Sequence, residues 1–132
     1  MNNDFAELSK YRLARAKEDL DNSKANLRDN YLKGTINRSY YAIFHAIRAV
    51  LALDGFDAKK HSGVITYFNQ YYVKTGIFDI EASTIVQKAF KIRNKSDYDD
   101  FYVVSRDETE EQVYNAEHFV SMIEQYLKGK NE

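Results

Sequence analysis

The sequence predicts an all-α fold: an antiparallel, up-and-down bundle of about five helices. Three observations carry that expectation. Apolar residues recur at steps of three, four and seven over most of the chain, the spacing that puts them on one face of a helix. Proline, which breaks helices by removing a donor and clashing with the preceding turn, is absent from all 132 residues. No long stretch shows the period-two alternation of a half-buried strand. The length suits a single domain over 1–132 with one core, and short connections between helices favour antiparallel neighbours.

The elements follow in order. From Asp4 to Tyr31, the residues Phe5, Leu8, Leu13, Ala16, Leu20, Leu27 and Tyr31 mark one long amphipathic helix, and Gly34 offers its C-terminal stop. Thr35 is placed to cap a second helix, whose stripe of Ile36, Tyr40, Ile43, Phe44, Ile47, Val50 and Leu51 ends near Asp54-Gly55. This is the most hydrophobic helix, so it belongs at the centre of the bundle. A linker, Gly55 to Lys60, leads to a third helix from His61 to Lys74, with Val64, Ile65, Phe68, Tyr71 and Tyr72 inward and Gly76 closing it. A fourth begins at Phe78 or Asp79 and turns Ile80, Ile85, Ala89 and Ile92 to the core until the pattern fails after Ser96. Residues 99–104 have no helical period and read as a loop pinned by Phe101, Tyr102 and Val103. Ser105-Arg106-Asp107-Glu108 is a capping-box sequence opening a last helix with Val113, Ala116, Val120, Ile123 and Leu127 inward, ending at Gly129.

Composition excludes several classes. Hydrophobic residues make up 44% and charged residues 30%, the balance of an ordinary globular protein and not a disordered one. No apolar run reaches membrane-spanning length, and no basic start precedes an apolar stretch, so neither a span nor a secretory signal is expected. With no cysteine there is no disulfide framework or thiolate metal site, and a cytoplasmic location fits. A net charge of −1 means that any nucleic-acid contact must come from a local patch. Eleven tyrosines supply amphipathic rings for packing, interfaces or base stacking.

The most unusual polar chemistry lies between Phe90 and Tyr102, FKIRNKSDYDDFY, with Arg93-Asn94 followed by Asp97-Tyr98-Asp99-Asp100. Arg93 offers a planar fork of donors to an anion; alternatively it pairs with Asp97 one helical turn later and ties down the loop. On the second helix Arg38, Tyr41, His45 and Arg48 are spaced by three, four and three, so they share one edge. That edge reads either as a phosphate-binding strip facing Arg93 or as a helix flank whose arginines meet acidic partners. His61, beside Lys59 and Lys60 at a helix start, could help hold an anion or serve as a capping or surface residue. His118 reads as surface. Asp97, Asp99 and Asp100 match no calcium loop, so no metal and no cofactor is expected.

The segments YRLARAKEDL, INRSYYAIFHAIRAVL, KKHSGVITYF, the stretch from Tyr72 to Gly76, and AFKIRNKSDYDDFYVVS come in the order of a known family. The chain resembles the HEPN domains, more narrowly the compact stand-alone group of bacteria and archaea, from about Tyr11 to Leu127. The resemblance implies a helical bundle, a homodimer, and a minimal nucleotidyltransferase as partner in a toxin–antitoxin pair. It also implies RNA or nucleotide as ligand. Active members are metal-independent RNA endonucleases whose signature is an Arg, a small polar residue and, a few positions later, a His. Arg93 and Asn94 match the first part, while Asp97 and Tyr98 stand where the His is expected and no His lies between Arg93 and Val104. In some of these toxins the nucleotidyltransferase modifies a tyrosine near the motif; neither Tyr98 nor Tyr102 matches that spacing cleanly.

Metal-free RNA cleavage needs an acceptor for the 2′-hydroxyl proton and a cation for charge growing on the phosphate. Arg93 suits the second role. Asp97 and Tyr98 are the residues left for the first, and both are weaker acceptors at neutral pH than histidine. The expectation is therefore RNA or nucleotide binding at a cleft around Arg93 with a degenerate nuclease site. Asn94, Arg38, Tyr41, His45, Arg48 and His61 are the candidate ligand contacts. The alternatives are an active endoribonuclease toxin and a helical module that binds only protein.

Overall fold

The computed structural model describes residues 3–131. Helix α1 spans Asn3–Arg28, α2 Leu32–Ala52, α3 His61–Phe68, α4 Ile80–Tyr98 and α5 Arg106–Asn131. A π-helical turn, Asn69–Val73, continues α3 directly, and no strand occurs among the described residues. The cross-helix contacts fix the directions. Ser9 Oγ donates to the Ala49 carbonyl at 2.7 Å, Arg12 to the Arg48 carbonyl at 3.3 Å, and Arg38 to Asp19 at 2.9 Å. Partner numbers fall as those of α1 rise, so α1 and α2 are antiparallel. Lys17–Glu124 and Lys24–Glu117 ion pairs give the same reading for α1 against α5.

Helix α2 lies at the centre, as its apolar stripe requires. Ile36, Tyr40, Ile43, Ile47, Val50 and Leu51 are all buried. Ala42, Ala46 and Ala49 are fully covered, which lets neighbouring helices approach closely. Burying each large side chain is worth roughly 1.5–3 kcal/mol, so this one helix organises much of the stability. Helix α5 contributes Val113, Ala116, Val120, Ile123 and Leu127, as expected, together with Phe119.

Short α3 is anchored by rings. Phe68 packs on Phe78 (5.6 Å between centroids) and Phe119 (5.8 Å), and Phe78 on Tyr126 (5.1 Å). Past Phe68 the backbone widens into the π turn, which keeps adjacent Tyr72 and Val73 both buried and lets the Tyr72 hydroxyl reach Asp54 at 2.6 Å. The third segment is therefore not α-helical as far as Lys74. Gly76, at φ +85°, ends it as expected.

Other boundaries differ for local reasons. The first helix stops at Arg28 because Asn30 takes the left-handed conformation (φ +66°), which Asn tolerates better than most residues. Gly34 then falls inside α2, where a Cβ would sit 3.1 Å from Asn26 Nδ2. Thr35 does not cap α2: it is buried in the first turn and its hydroxyl donates back to the Tyr31 carbonyl at 2.8 Å. Asp79 caps α4, accepting from the Ile80 amide at 2.6 Å. Ile80 itself does not join the core; it stands 71% exposed at the first helical position. The loop before α5 is held by buried Val104 and half-buried Tyr102, while Phe101 and Val103 are 94% and 85% exposed and pin nothing. Ser105 Oγ accepts from the Glu108 amide at 3.1 Å, but the Glu108 carboxylate takes the Tyr102 hydroxyl in place of closing a capping box. Helix α5 runs past Gly129 to Asn131.

Candidate functional site

Arg93 follows Ile92 on α4, but where Ile92 packs into the small cluster with Ile36 and Val104, Arg93 turns against α2. Its guanidinium carbon lies 4.5 Å from the centroid of the Tyr40 ring and 5.7 Å from that of Tyr41, within cation–π range. The residue is only 7% exposed. A buried guanidinium ordinarily has its five donors matched. Here Nη2 is 3.3 Å from His61 Nδ1, and Nη1 is 3.5 Å from Asp97 Oδ2, the outer limit of a hydrogen bond. Nε is buried with no partner. The cation is thus held by rings and a neutral ring nitrogen, with incomplete compensation from a carboxylate.

His61, the first residue of α3, supplies that nitrogen. Its ring stacks on Phe44 at 4.1 Å and on Tyr40 at 5.8 Å, and Nδ1 lies 2.8 Å from the Tyr40 hydroxyl. Burial, and then the neighbouring Arg93 charge, lower its pKa below the ordinary histidine value, so the imidazole is neutral at pH 7. The tautomer follows from the partners. Arginine can only donate, so Nδ1 accepts and the ring proton sits on Nε2. Tyr40, 2% exposed and pushed up to about 12 by burial, keeps its proton. The Tyr40 hydroxyl and Arg93 Nη2 both point at His61 Nδ1, so the donor left over for an oxyanion is on the guanidinium, whose Nε has no partner. In the resting geometry the lone pair a general base would use is already engaged.

Tyr41 joins this centre to a second cluster, with its ring 5.9 Å from both His61 and His45 and the Arg38 guanidinium carbon 5.1 Å from its centroid. Along the α2 edge the arginines do meet acidic partners. Arg38 pairs with buried Asp19 at 2.9 Å, and Arg48 pairs with Asp57 at 2.8 Å, which also takes Arg12 at 3.3 Å. His45 Nε2 is 3.6 Å from Asp19 Oδ2, too far for a hydrogen bond. Burial first, and then Arg15, Arg48, Arg38 and Arg12, push His45 down to about 4. Burial raises the Asp19 pKa despite its arginine neighbours. The ion pairs of this belt bind α1 to α2 and to the loop after α2, with Asp19 Oδ2 and Arg48 Nε left buried without a hydrogen-bond partner.

The remaining candidates stand outside the centre. The Asp97 side chain is 31% exposed and touches Arg93 only at the 3.5 Å limit, Tyr98 is 77% exposed, and Asn94 is half-buried. The Tyr102 hydroxyl is engaged by Glu108. Tyr40 and Phe44, assigned to the core by their spacing, also form the floor under Arg93 and His61. Nothing in the sequence links His61 to Arg93, thirty-two residues apart. Among the described residues no group of three His, Cys, Asp or Glu could hold a metal ion, and no helix is long and apolar enough to cross a membrane.

Residues 9–126 match the HEPN domain family. A UPF0332 protein of Thermotoga maritima is 32% identical over 126 residues, covering 96% of each chain. Two proteins of Methanocaldococcus jannaschii, each named "Putative toxin", are 33% and 28% identical over 97% and 90% of this chain and 95% and 81% of their own. A match across nearly the whole bundle, including α2 and the Arg93 segment, places the chain in the HEPN domain family.

Proposed function

We propose that this protein is the toxin-like HEPN component of a pair with a minimal nucleotidyltransferase, and that it binds RNA or nucleotide phosphate at the Arg93 centre. The observation that carries the reading is the buried, under-compensated guanidinium of Arg93, with Nε free of any partner and His61 and Tyr40 alongside. A phosphate oxygen would satisfy donors that the fold leaves unmatched, at a place where burial strengthens each contact. The two relatives named "Putative toxin" support the toxin-like part of this reading, and the homodimer and the nucleotidyltransferase partner are part of the proposal itself.

Binding, not cleavage, is the activity the resting geometry favours, because His61 Nδ1 is occupied by Arg93 and Tyr40. The test is a titration of short single-stranded RNA and of ATP against wild type and Arg93→Ala. Binding in the wild type that weakens at least tenfold in the variant is expected; equal affinity in both would refute the reading. A second reading has one observation in its favour, the nearness of a histidine to Arg93 despite its absence from the motif. If RNA displaces both the Arg93 and the Tyr40 donors, His61 Nδ1 becomes free to accept the 2′-hydroxyl proton. Cleavage in the presence of a chelator, abolished by His61→Ala, would establish that activity.

A further inference from the structure

A groove runs between α3 with its π turn on one side and α4 on the other. Its near part, about 290 Å³, is lined by Ser62, Ile65, Thr66, Asn69, Gln87 and Phe90. Its far part, about 360 Å³, shares Thr66, Asn69 and Gln87 and ends at Lys74. Ser62 follows His61 directly, and Phe90 lies one turn before Arg93 with its ring 6.0 Å from that of Tyr40. The near end of the groove is thus flanked by neighbours of His61 and Arg93, although neither of those two residues lines it.

No acidic side chain lines either part of the groove, so a phosphate chain would meet no like charge there. Carboxamides and hydroxyls form the walls, and an aromatic and an aliphatic side chain, Phe90 and Ile65, supply flat apolar surface. Those are the two features a nucleobase presents in return: an apolar face, and an edge of mixed donors and acceptors. Asn69 lies at the start of the π turn, and its Oδ1 is buried without a hydrogen-bond partner. Gln87 donates only to Ser83, at 3.3 Å. A π turn repositions side chains at a cost in backbone geometry, and such turns recur at functional sites.

We propose that this groove is a base-reading subsite for single-stranded RNA held by its phosphate at Arg93. A base lies against Phe90 and Ile65, Asn69 and Gln87 address its edge, and Lys74 meets the phosphate beyond. The inference rests on the proposed RNA binding at Arg93 and adds a sequence preference to it. Such carboxamide contacts discriminate between bases by about tenfold or more.

The experiment uses fluorescence anisotropy with short single-stranded homopolymers and one abasic strand, against wild type, Gln87→Ala, Asn69→Ala and Arg93→Ala. Gln87 is exposed on a helix surface, so its variant keeps the test valid even if Asn69→Ala folds poorly. The wild type is expected to prefer one homopolymer by about tenfold, and Gln87→Ala to shrink that preference to about twofold. Abasic strand binding by the wild type, lost in Arg93→Ala, reports the phosphate site alone. If that binding is present but the base preference is missing, or survives in Gln87→Ala, the groove does not read bases while the Arg93 reading stands. If no strand binds at all, both fall. If the groove variants instead alter only sedimentation, the surface is a protein contact and the inference is overturned.

Discussion

The protein has two arginine–histidine clusters, joined by Tyr41, and they are built on opposite principles. In the belt between α1 and α2, Arg38, Arg48 and Arg12 each meet a carboxylate, Asp19 or Asp57, and His45 is pressed into the neutral state by burial and the surrounding arginines. At the α3–α4 centre, Arg93 is buried about as deeply as Arg12, yet it has rings, a neutral imidazole and a 3.5 Å contact with Asp97. Charge compensation, more than the presence of arginine and histidine, separates a structural cluster from one ready for a ligand. Each prediction below tests one side of that contrast.

Removing Asp19 should have the largest effect. Its carboxylate is 4% exposed and is the counter-charge for Arg38, with Arg15 also near, so Asp19→Ala leaves a half-buried guanidinium without its partner. A loss of about 3 kcal/mol in denaturant unfolding is expected, with RNA affinity of the folded fraction retained. A loss below about 1 kcal/mol would show the belt to be a surface feature.

The second effect is on the acid limb of stability. His45 is depressed in the folded state to about 4 from an ordinary 6.5, so the unfolded chain binds its proton first. The stability this gives is complete above pH 6.5 and is lost as pH falls towards 4. Wild type should lose about 2 kcal/mol more than His45→Gln across that window. Asp19, whose pKa is raised, works in the opposite sense at the lower end, so the difference between the two proteins is the measurement that isolates His45.

Much of this architecture was legible in the sequence, and the reason differs between the two clusters. Periodicity exposed α2 as the central helix and placed Arg38, Tyr41, His45 and Arg48 on one edge, because spacing within a helix is a local property. Their acidic partners followed as one of two readings. The centre is half legible: Arg93-Asn94 stands out and His61 is a candidate anion contact, but nothing ties the two together, and Tyr40 reads only as part of an apolar stripe. Its assembly depends on α3 docking through Phe68, Phe78 and Phe119, a tertiary event with no local signature. Tyr71 and Ile80, expected to face inward, and Phe101 and Val103, expected to pin the loop, are exposed, because hydropathy does not say which apolar side chain at a helix end or in a loop meets the core.

Arg93 itself should show the inverse of Asp19. Replacing it with methionine, of similar length, removes a cation that the fold does not fully compensate, so the stability change should stay within about 1 kcal/mol, as for other buried charges exchanged for apolar side chains. RNA binding should be lost in the same protein. A stability loss near that of Asp19→Ala would mean Arg93 is structural after all and would erase the contrast.

The smallest effect is expected at Asp97, and it decides what that residue is for. As an exposed i,i+4 partner at 3.5 Å it contributes no more than about 0.5 kcal/mol, so Asp97→Ala should melt almost with the wild type. Its carboxylate also opposes any anion arriving at Arg93, so its removal should leave RNA affinity unchanged or raise it. A residue acting as general base in place of the missing motif histidine would behave differently: affinity would hold while chelator-resistant cleavage vanished. Measuring binding and cleavage on the one variant therefore separates a weak latch on the arginine from a base, and the long contact to an under-compensated cation makes the latch the expected outcome.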